Sequence, residues 1–383
     1  MIIGYEPNFS NFRSGIESYS YYLLKNLIDI YTEDTFILYT TEEGQAKLKE
    51  VFQDRPNLLI RPIMPSRKNL SGKLTYQFRR SRLFRNVIFD EVDVFHFLDS
   101  FRFVPDFGNS IVTVHDLFPL METHWTKDFI RKGRKRIARK FRSAVINSKL
   151  IIANSDYTKE SVLKFYRKVR RYKIHVTHLA ASPQFRKTKP DRELLKNLGI
   201  EPDQKFFLFV GRIDHRKNIE GTLRAYSLLS DTVKSSYKLV CVAEANKKEY
   251  NDYFENLLDS LDIRKSVIQL KNINEDQLVH IYNAAFCLLL CSFAEGFGIP
   301  ILEAFNCDCP VITSNCSSMP EVAGDCALYA DPERPETIRD AIIELISEDN
   351  KRELLIREAS TRSTMFDYAK TAAETYEIYK KLF

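Results

Sequence analysis

Two glutamates eight positions apart, Glu295 and Glu303, frame the most chemically loaded stretch of the sequence, CSFAEGFGIPILEAF. A strand is predicted to end at Cys291. A short loop then carries Glu295, Gly296, Phe297 and Gly298, and a helix opens near Ile299. The glycines let backbone amides approach a ligand closely, and a helix N-terminus favours negative charge there. Two carboxylates aimed at a phosphate would repel it, so they suit sugar and ribose hydroxyls, which donate to an acceptor-only group. The plain alternative is a solvated loop glutamate beside an ordinary helix glutamate.

A second cluster lies in FLFVGRIDHRKNIEG, residues 207–221. A strand delivers Gly211 and Arg212, and the loop adds Arg216 and Lys217 before a helix opening near Asn218. Cations at a strand's carboxyl end, beside a helix N-terminus, make a diphosphate site and stabilise charge developing on a leaving diphosphate. A solvated basic loop would look the same in composition. Three further positions carry weaker signals. Gly15 stands between a strand and a helix, where a plain turn explains it. His115, beside Asp116, ends a strand and either lines a site or is a satisfied structural histidine. Ser155 reads as an N-cap.

The elements positioning these residues alternate between strand and helix. Apolar runs at 206–211, 238–243, 266–270, 286–291 and 310–315 are each followed by a helical period. This rhythm predicts a parallel sheet with helices on both faces. The first half repeats it less cleanly, with strands predicted in MIIGY, TFILYT, LLIRPI, VDVFHFL, SIVTVHD and KLIIANS. Two doubly wound domains follow, 1–183 and 184–365, with a closing helical segment 366–383. Ligands of open α/β sheets sit beyond the strands' carboxyl ends, so the expected site is a cleft between the domains.

With 383 residues, 44% hydrophobic and 28% charged, the chain has the composition of a globular protein with two cores. It has no apolar run long enough to span a membrane and no signal-peptide pattern, so a cytoplasmic location is expected. All seven cysteines fall in the second half, mostly in apolar runs, and read as buried thiols. Cys307, Cys309 and Cys316 lack an accompanying histidine and do not read as a metal site.

Taken together and in order, SGIESYSYYLL, TVHDLFPL, ANSDYTKESV, VGRIDHRKN, INEDQLVHIYNAA, EGFGIPILEAFNCDCPVITSN, SSMPEVAGDCALYADP and FDYAKTAAETYEIYKKL resemble the family 4 glycosyltransferases. These are retaining enzymes of the GT-B fold, two Rossmann-like domains facing across a cleft with a C-terminal helix crossing back to the first. The resemblance implies that Arg212 and Lys217 bind the donor diphosphate. Glu295 contacts the transferred sugar, Glu303 the ribose, and the backbone of Gly296, Phe297, Gly298 and Ile299 completes the sugar and phosphate contacts. Gly15 lies against the phosphates, His115 near the sugar, and the base near Asn272 and Ile273. Catalysis falls to Glu295, His115, Arg212 and Lys217, with no metal and no cofactor beyond the nucleotide-sugar substrate.

Two departures matter. Many relatives have Ala-Cys-Gly-Thr-Pro where this chain has Asn306-Cys307-Asp308-Cys309-Pro310. The common Glu-Pro before Arg-Lys-Asn is here Asp214-His215, which places UDP-glucose slightly ahead of GDP-mannose as donor. The implied activity is transfer of a hexose to a glycan or lipid-linked acceptor in surface or exopolysaccharide synthesis. The alternatives are a silent nucleotide-sugar or polyanion-binding scaffold, and a sugar phosphorylase or epimerase on the same architecture.

Charge is unevenly shared. Residues 1–183 hold 31 Lys and Arg against 19 Asp and Glu; the remainder holds 26 against 32. Basic stretches at 72–86, 130–142 and 164–174 carry much of the excess. Ile130, Ile137 and Phe141 space an apolar stripe among the cations, predicting an amphipathic surface helix. The plain reading is an ordinary solvated face; docking of this first half on the anionic inner face of the plasma membrane is the functional alternative, with no nucleic-acid partner expected.

Overall fold

A computed structural model describes residues 1–7, 15–64, 92–101, 104, 108–129, 134–245 and 247–383. The basic stretch 72–86 and Ile130 lie outside the described residues. The chain forms two compact units, one of residues 1–122, 128–180 and 367–383, the other of residues 123–127 and 181–366. The sequence reading divides the chain at 183/184 and 365/366 and gives residues 123–127 to the first part.

The first unit is built on a parallel sheet of seven strands: β1 (Ile2–Tyr5), β2 (Thr35–Thr41), β3 (Leu58–Met64), β4 (Val94–Phe97), β5 (Ser110–Val114), β6 (Leu150–Ala153) and β7 (Ile174–Val176). Their order is β3-β2-β1-β4-β5-β6-β7, all pairs parallel. Helices α1 (Gly15–Ile30), α2 (Glu42–Phe52), α3 (Arg134–Asn147) and α4 (Asp156–Phe165) belong to it. β4 and β5 are buried along their whole length, as strands covered on both faces must be. Strand β7 is not among the expected ones. It is three residues long, at the sheet edge, inside a stretch whose charge masks its pattern.

The α3 stripe corrects one expectation. Phe141, Ala144 and Val145 are buried, Ile137 packs against the same core, and the Phe141 ring meets Phe101 at 5.1 Å. The apolar side of this helix is taken up by the unit's own core and is not available to a membrane. What remains outward is mainly charge, on Lys135, Arg136, Arg139 and Arg142, with Ile146 exposed near the helix end.

The closing helix, Tyr368–Lys380, is part of the first unit and packs on α1. Its tyrosines do the joining: Tyr376 stacks on Tyr31 and Tyr368 on Tyr22. Buried Tyr379 sits between the Tyr5 hydroxyl at 3.0 Å and His96 Nδ1 at 2.7 Å. His96 Nε2 continues the chain to Thr113 Oγ1 at 2.8 Å, and Thr113 meets the Tyr19 hydroxyl at 2.9 Å. Every member is polar and fully buried, so each depends on its neighbours for satisfaction.

The second unit has a six-stranded parallel sheet: β8 (Lys205–Arg212), β9 (Tyr237–Glu244), β10 (Val267–Leu270), β11 (Cys287–Leu290), β12 (Val311–Ser314) and β13 (Leu328–Ala330). The order is β10-β9-β8-β11-β12-β13. β13, again a short edge strand, is also absent from the sequence reading. Helices α5 (Arg192–Asn197), α6 (Ile219–Ser227), α7 (Asp231–Ser236), α8 (Lys248–Ser260), α9 (Glu275–Ala284), α10 (Ile299–Asn306), α11 (Met319–Ala323), α12 (Pro335–Ser347) and α13 (Asp349–Ser363) complete it. Phe207, Leu239, Leu289, Ile312 and Ile342 are among the buried residues of its core. From β8 the chain steps outward through β9 to β10, then returns to place β11 on the other side of β8. That reversal is a topological switch point, and it sets the loops after β8 and β11 side by side.

Asp308, where relatives often carry glycine, adopts the left-handed conformation with φ 53°. Aspartate is among the few residues that enter this region readily, and its carboxylate lies 2.6 Å from Lys187 Nζ. Cys307 and Cys309 are buried and Cys316 is half-buried, and burial pushes all three thiols up.

Candidate active site

The loop after β8 is held by its own caps. Asp214 accepts from the Lys217 amide at 2.9 Å, and Asn218 turns the chain through the left-handed region at φ 53° to start α6. The Asn218 side chain accepts from the Gly221 amide at 3.1 Å and donates to the carbonyls of Cys291 at 3.0 Å and Pro332 at 2.8 Å. One buried amide therefore pins the β8 loop to the end of β11 and to the segment before α12. Gly221 leaves the room for this: a Cβ there would meet Asn218 Oδ1 at 2.5 Å.

The β11 loop is tied from the other side. Ser314 donates to the Ser292 carbonyl at 2.6 Å, and the Ser318 hydroxyl lies 2.8 Å from the Glu295 carbonyl and 2.9 Å from that of Phe297. The Glu295 amide donates to Ser317 Oγ at 3.1 Å. Gly298, at φ 103°, makes the turn into α10, a conformation that favours glycine.

Between the two loops the charges meet. Glu295 is 7% exposed, and its carboxylate accepts from Lys217 Nζ at 2.6 Å, from Arg216 at 2.9 Å and from Ser292 Oγ at 2.7 Å. Burial pushes the carboxyl up, but the Arg216 and Lys217 charges and the hydrogen bonds from Lys217 and Ser292 outweigh it and hold it at about 2. It is an ionised carboxylate, not the solvated loop glutamate of the plain alternative. Arg216 also donates to the Ala294 carbonyl at 2.6 Å. Lys217's stem lies over Gly211, where a Cβ would come within 3.3 Å of it. Arg212 is half exposed and sits 3.5 Å from the Asp214 carboxylate. Three cations, Arg212, Arg216 and Lys217, against two carboxylates leave the cluster with one net positive charge.

Glu303 lies in α10, its carboxylate accepting from the buried Tyr282 hydroxyl at 2.8 Å. Burial raises it to about 7, against the lowering effect of that bond and with Glu275 pushing the same way. Asn272 and Ile273 follow β10, where Asn272 takes the left-handed conformation and donates its amide to Glu244 at the end of β9.

The remaining two candidates belong to the first unit. Gly15 is the first residue of α1. His115 is buried, donates from Nε2 to the Leu98 carbonyl at 2.9 Å and meets the Tyr19 ring edge-on at 4.9 Å. Burial lowers it, so the ring is neutral, with Nδ1 as the acceptor nitrogen.

Several residues that build the site receive no role from the family resemblance. Arg216, beside Lys217, is not among the residues to which the family resemblance gives a role, although its charge and position in the same loop mark it. Ser292, Ser317, Ser318 and Asn218 carry no charge signal. Apart from the local Ser292–Glu295 and Asn218–Gly221 bonds, their roles arise from contacts across 21 to 114 positions of chain.

Two doubly wound parallel sheets, with fixed cations and a buried carboxylate at the switch point of the second, define the GT-B class of glycosyltransferases. The sequence model for glycosyl transferases group 1 matches residues 156–362, more than half the chain, and that for Glycosyltransferase Family 4 matches residues 13–184. The chain belongs to the glycosyl transferases group 1 family. It is 30% identical to the O-antigen chain mannosyltransferase B of Escherichia coli, over 71% of this chain and 70% of that protein. It is 28% identical to the O-antigen chain mannosyltransferase RfbU of Salmonella typhimurium, over 62% and 61%. Among solved structures, Anabaena Alr3699/HepE in complex with UDP and glucose matches with TM-score 0.74 at 15% identity, covering all of both chains. WaaG, a glycosyltransferase involved in lipopolysaccharide biosynthesis, matches with TM-score 0.73 at 16% identity over 99% of each chain. At such identities the structures speak for the fold. The chain is a hexosyltransferase.

Proposed function

We propose that this chain transfers a hexose, with retention of anomeric configuration, from a nucleoside-diphosphate hexose to a glycan or lipid-linked acceptor in surface polysaccharide assembly. The observation that carries the reading is the Glu295 carboxylate held ionised between Lys217 and Arg216 at the switch point of the second sheet. Arg212 and Lys217 hold the diphosphate, with the N-terminus of α10 behind Gly296, Phe297, Gly298 and Ile299. Glu303 takes the ribose, and the base sits by Asn272 and Ile273. As the bond from the anomeric carbon to the diphosphate breaks, charge grows on the leaving oxygen, and these side-chain cations rather than a metal stabilise it. The acceptor oxygen bonds to the same face of that carbon, and its proton passes to the leaving phosphate. With its oxygens already engaged by Arg216, Lys217 and Ser292, Glu295 orients sugar hydroxyls and does not act as nucleophile.

Mannose is the transferred sugar in this reading, because the named relatives are O-antigen mannosyltransferases. UDP-glucose is the second reading, supported by Asp214-His215 in place of the Glu-Pro common before Arg-Lys-Asn. The outward cations of α3 in the first unit provide the contact with anionic lipid around a lipid-linked acceptor. Among the described residues no helix is long and apolar enough to cross a membrane.

The test is a metal-free thermal-shift screen with GDP, UDP and their hexose conjugates, since a ligand of the folded state raises stability by mass action. A shift with the GDP series supports mannosyl transfer, and one with the UDP series supports the second reading. No shift with either sinks the donor site.

A further inference from the structure

We propose that a cavity in the second unit, beside the Arg216–Lys217 loop, binds a neutral hexose unit of the acceptor glycan. The inference rests on the hexosyl-transfer reading and adds a subsite to it. The cavity measures about 330 Å³, at the lower end of small-molecule sites, and His124, His215, Tyr250, Tyr253, Phe293 and Glu333 are among its lining residues.

Its walls suit a sugar. The His215 ring stands 5.9 Å from the Tyr250 ring and 6.0 Å from that of Tyr253, and the His124 ring meets Phe293 at 4.9 Å. Aromatic rings present apolar faces to the C–H side of a pyranose, while their polar tips and neighbours reach its hydroxyls. At the mouth, His124 Nε2 lies 3.6 Å from the Glu333 carboxylate, and both side chains are over half exposed, at 52% and 60%. Glu220, also in the lining, is held by Arg224 Nε at 2.9 Å and by the Tyr253 hydroxyl, giving a polar wall.

The charge argues against a phosphate. With Asp214 already counted in the donor cluster, Glu220 and Glu333 line the cavity against Arg224 as the permanent cation among its described lining residues. The surplus is negative, opposite to the donor cluster next door, so the two sites sort a neutral polyol from an anionic donor. They share a loop: His215 directly precedes Arg216 and Lys217, which bond Glu295. The Phe293 amide donates to the Arg216 carbonyl at 2.9 Å, and the Pro332 carbonyl receives Asn218. A sugar seated here presses on the same loop pair that holds the Glu295 carboxylate.

Saturation-transfer NMR on the full chain, with α-mannotriose and maltotriose as probes, tests the site, alongside thermal shifts with GDP and UDP. We expect one trisaccharide to bind. Tyr250→Ala and Glu333→Ala should weaken it at least tenfold with the nucleotide shift unchanged. Glu333 is exposed, so its replacement keeps the fold. Binding that survives both substitutions overturns the proposal, as does the absence of trisaccharide binding to a chain that still binds GDP or UDP. Variants that lose the nucleotide shift instead would make the cavity a nucleotide site and also overturn it. Trisaccharide binding that fails in the variants, in a chain that binds neither nucleotide, supports the cavity and refutes the donor reading separately.

Discussion

Lys217 and Glu295 stand 78 positions apart in the chain and 2.6 Å apart in space. The cause is the strand order: β8 and β11 are hydrogen-bonded neighbours, so the loops that follow them must meet. The pair is nearly closed to solvent, with side-chain exposures of 12% and 9%. Its energetics are those of a buried ion pair, where breaking one side leaves an uncompensated charge.

Lys217→Met should therefore lower stability by about 3 kcal/mol, the low end for breaking buried pairs, and abolish detectable transfer. Glu295→Gln keeps shape and some hydrogen bonds. It should cost less stability while reducing turnover by at least about a hundredfold, the scale of a lost transition-state contact. Chemical denaturation and a transfer assay on both variants check this. Near-normal turnover in Glu295→Gln would remove Glu295 from the catalytic role.

The two glutamates should respond to pH in opposite senses. Glu295 is held at about 2, below the ordinary 4.5, so its contribution is fully present above 4.5 and is lost as pH falls toward 2. Glu303 is raised to about 7, so the folded state holds the proton more tightly. Its favourable contribution is present below 4.5 and disappears as pH rises through 7. Relative to the parent chain, Glu303→Gln should gain on the order of 3 kcal/mol between pH 4.5 and 8, since each tenfold difference in proton affinity is worth about 1.4 kcal/mol. Denaturant melts at both pH values read this out, and a pH-independent difference would contradict the assignment.

Asn218→Ala removes a helix cap and the donor to two carbonyls at once. A cap is worth about 1 kcal/mol and each buried unsatisfied carbonyl about 1–3, so a loss of at least about 3 kcal/mol is expected. Gly221→Ala should be destabilising by steric contact with the same side chain. Thermal melts of the two single variants and the double variant should be non-additive, because the clash needs Asn218 to be present.

Tyr379→Phe interrupts the buried chain that joins Tyr5, His96, Thr113 and Tyr19. It strips His96 of a partner in a site where burial already keeps the ring neutral. A loss of about 1–3 kcal/mol is expected, with the GDP or UDP thermal shift unchanged in size. A collapse of nucleotide binding would mean that the closing helix does more than complete the first unit.

The parts of this protein legible in its sequence share a short range. Apolar runs of strand length mark eleven of the thirteen strands among the described residues, because a strand covered on both faces has to be apolar throughout. β7 and β13 escape, being three residues each at sheet edges, where little apolar surface is needed. The chemical candidates are also local: cations after one strand, a carboxylate and glycines after another, and a family resemblance along the chain.

Pairing was decided by tertiary structure alone. Nothing in RIDHRKN states that Arg216, not Arg212, will hold Glu295, or that three serines and Asn218 will pin the loops. Those contacts exist because β11 returns beside β8, a choice made by the packing of the whole sheet. The same packing turned the α3 stripe inward, where the sequence pattern fits a core face and a membrane face equally well. An amphipathic period says that one side of a helix must be covered. Only the fold says what covers it.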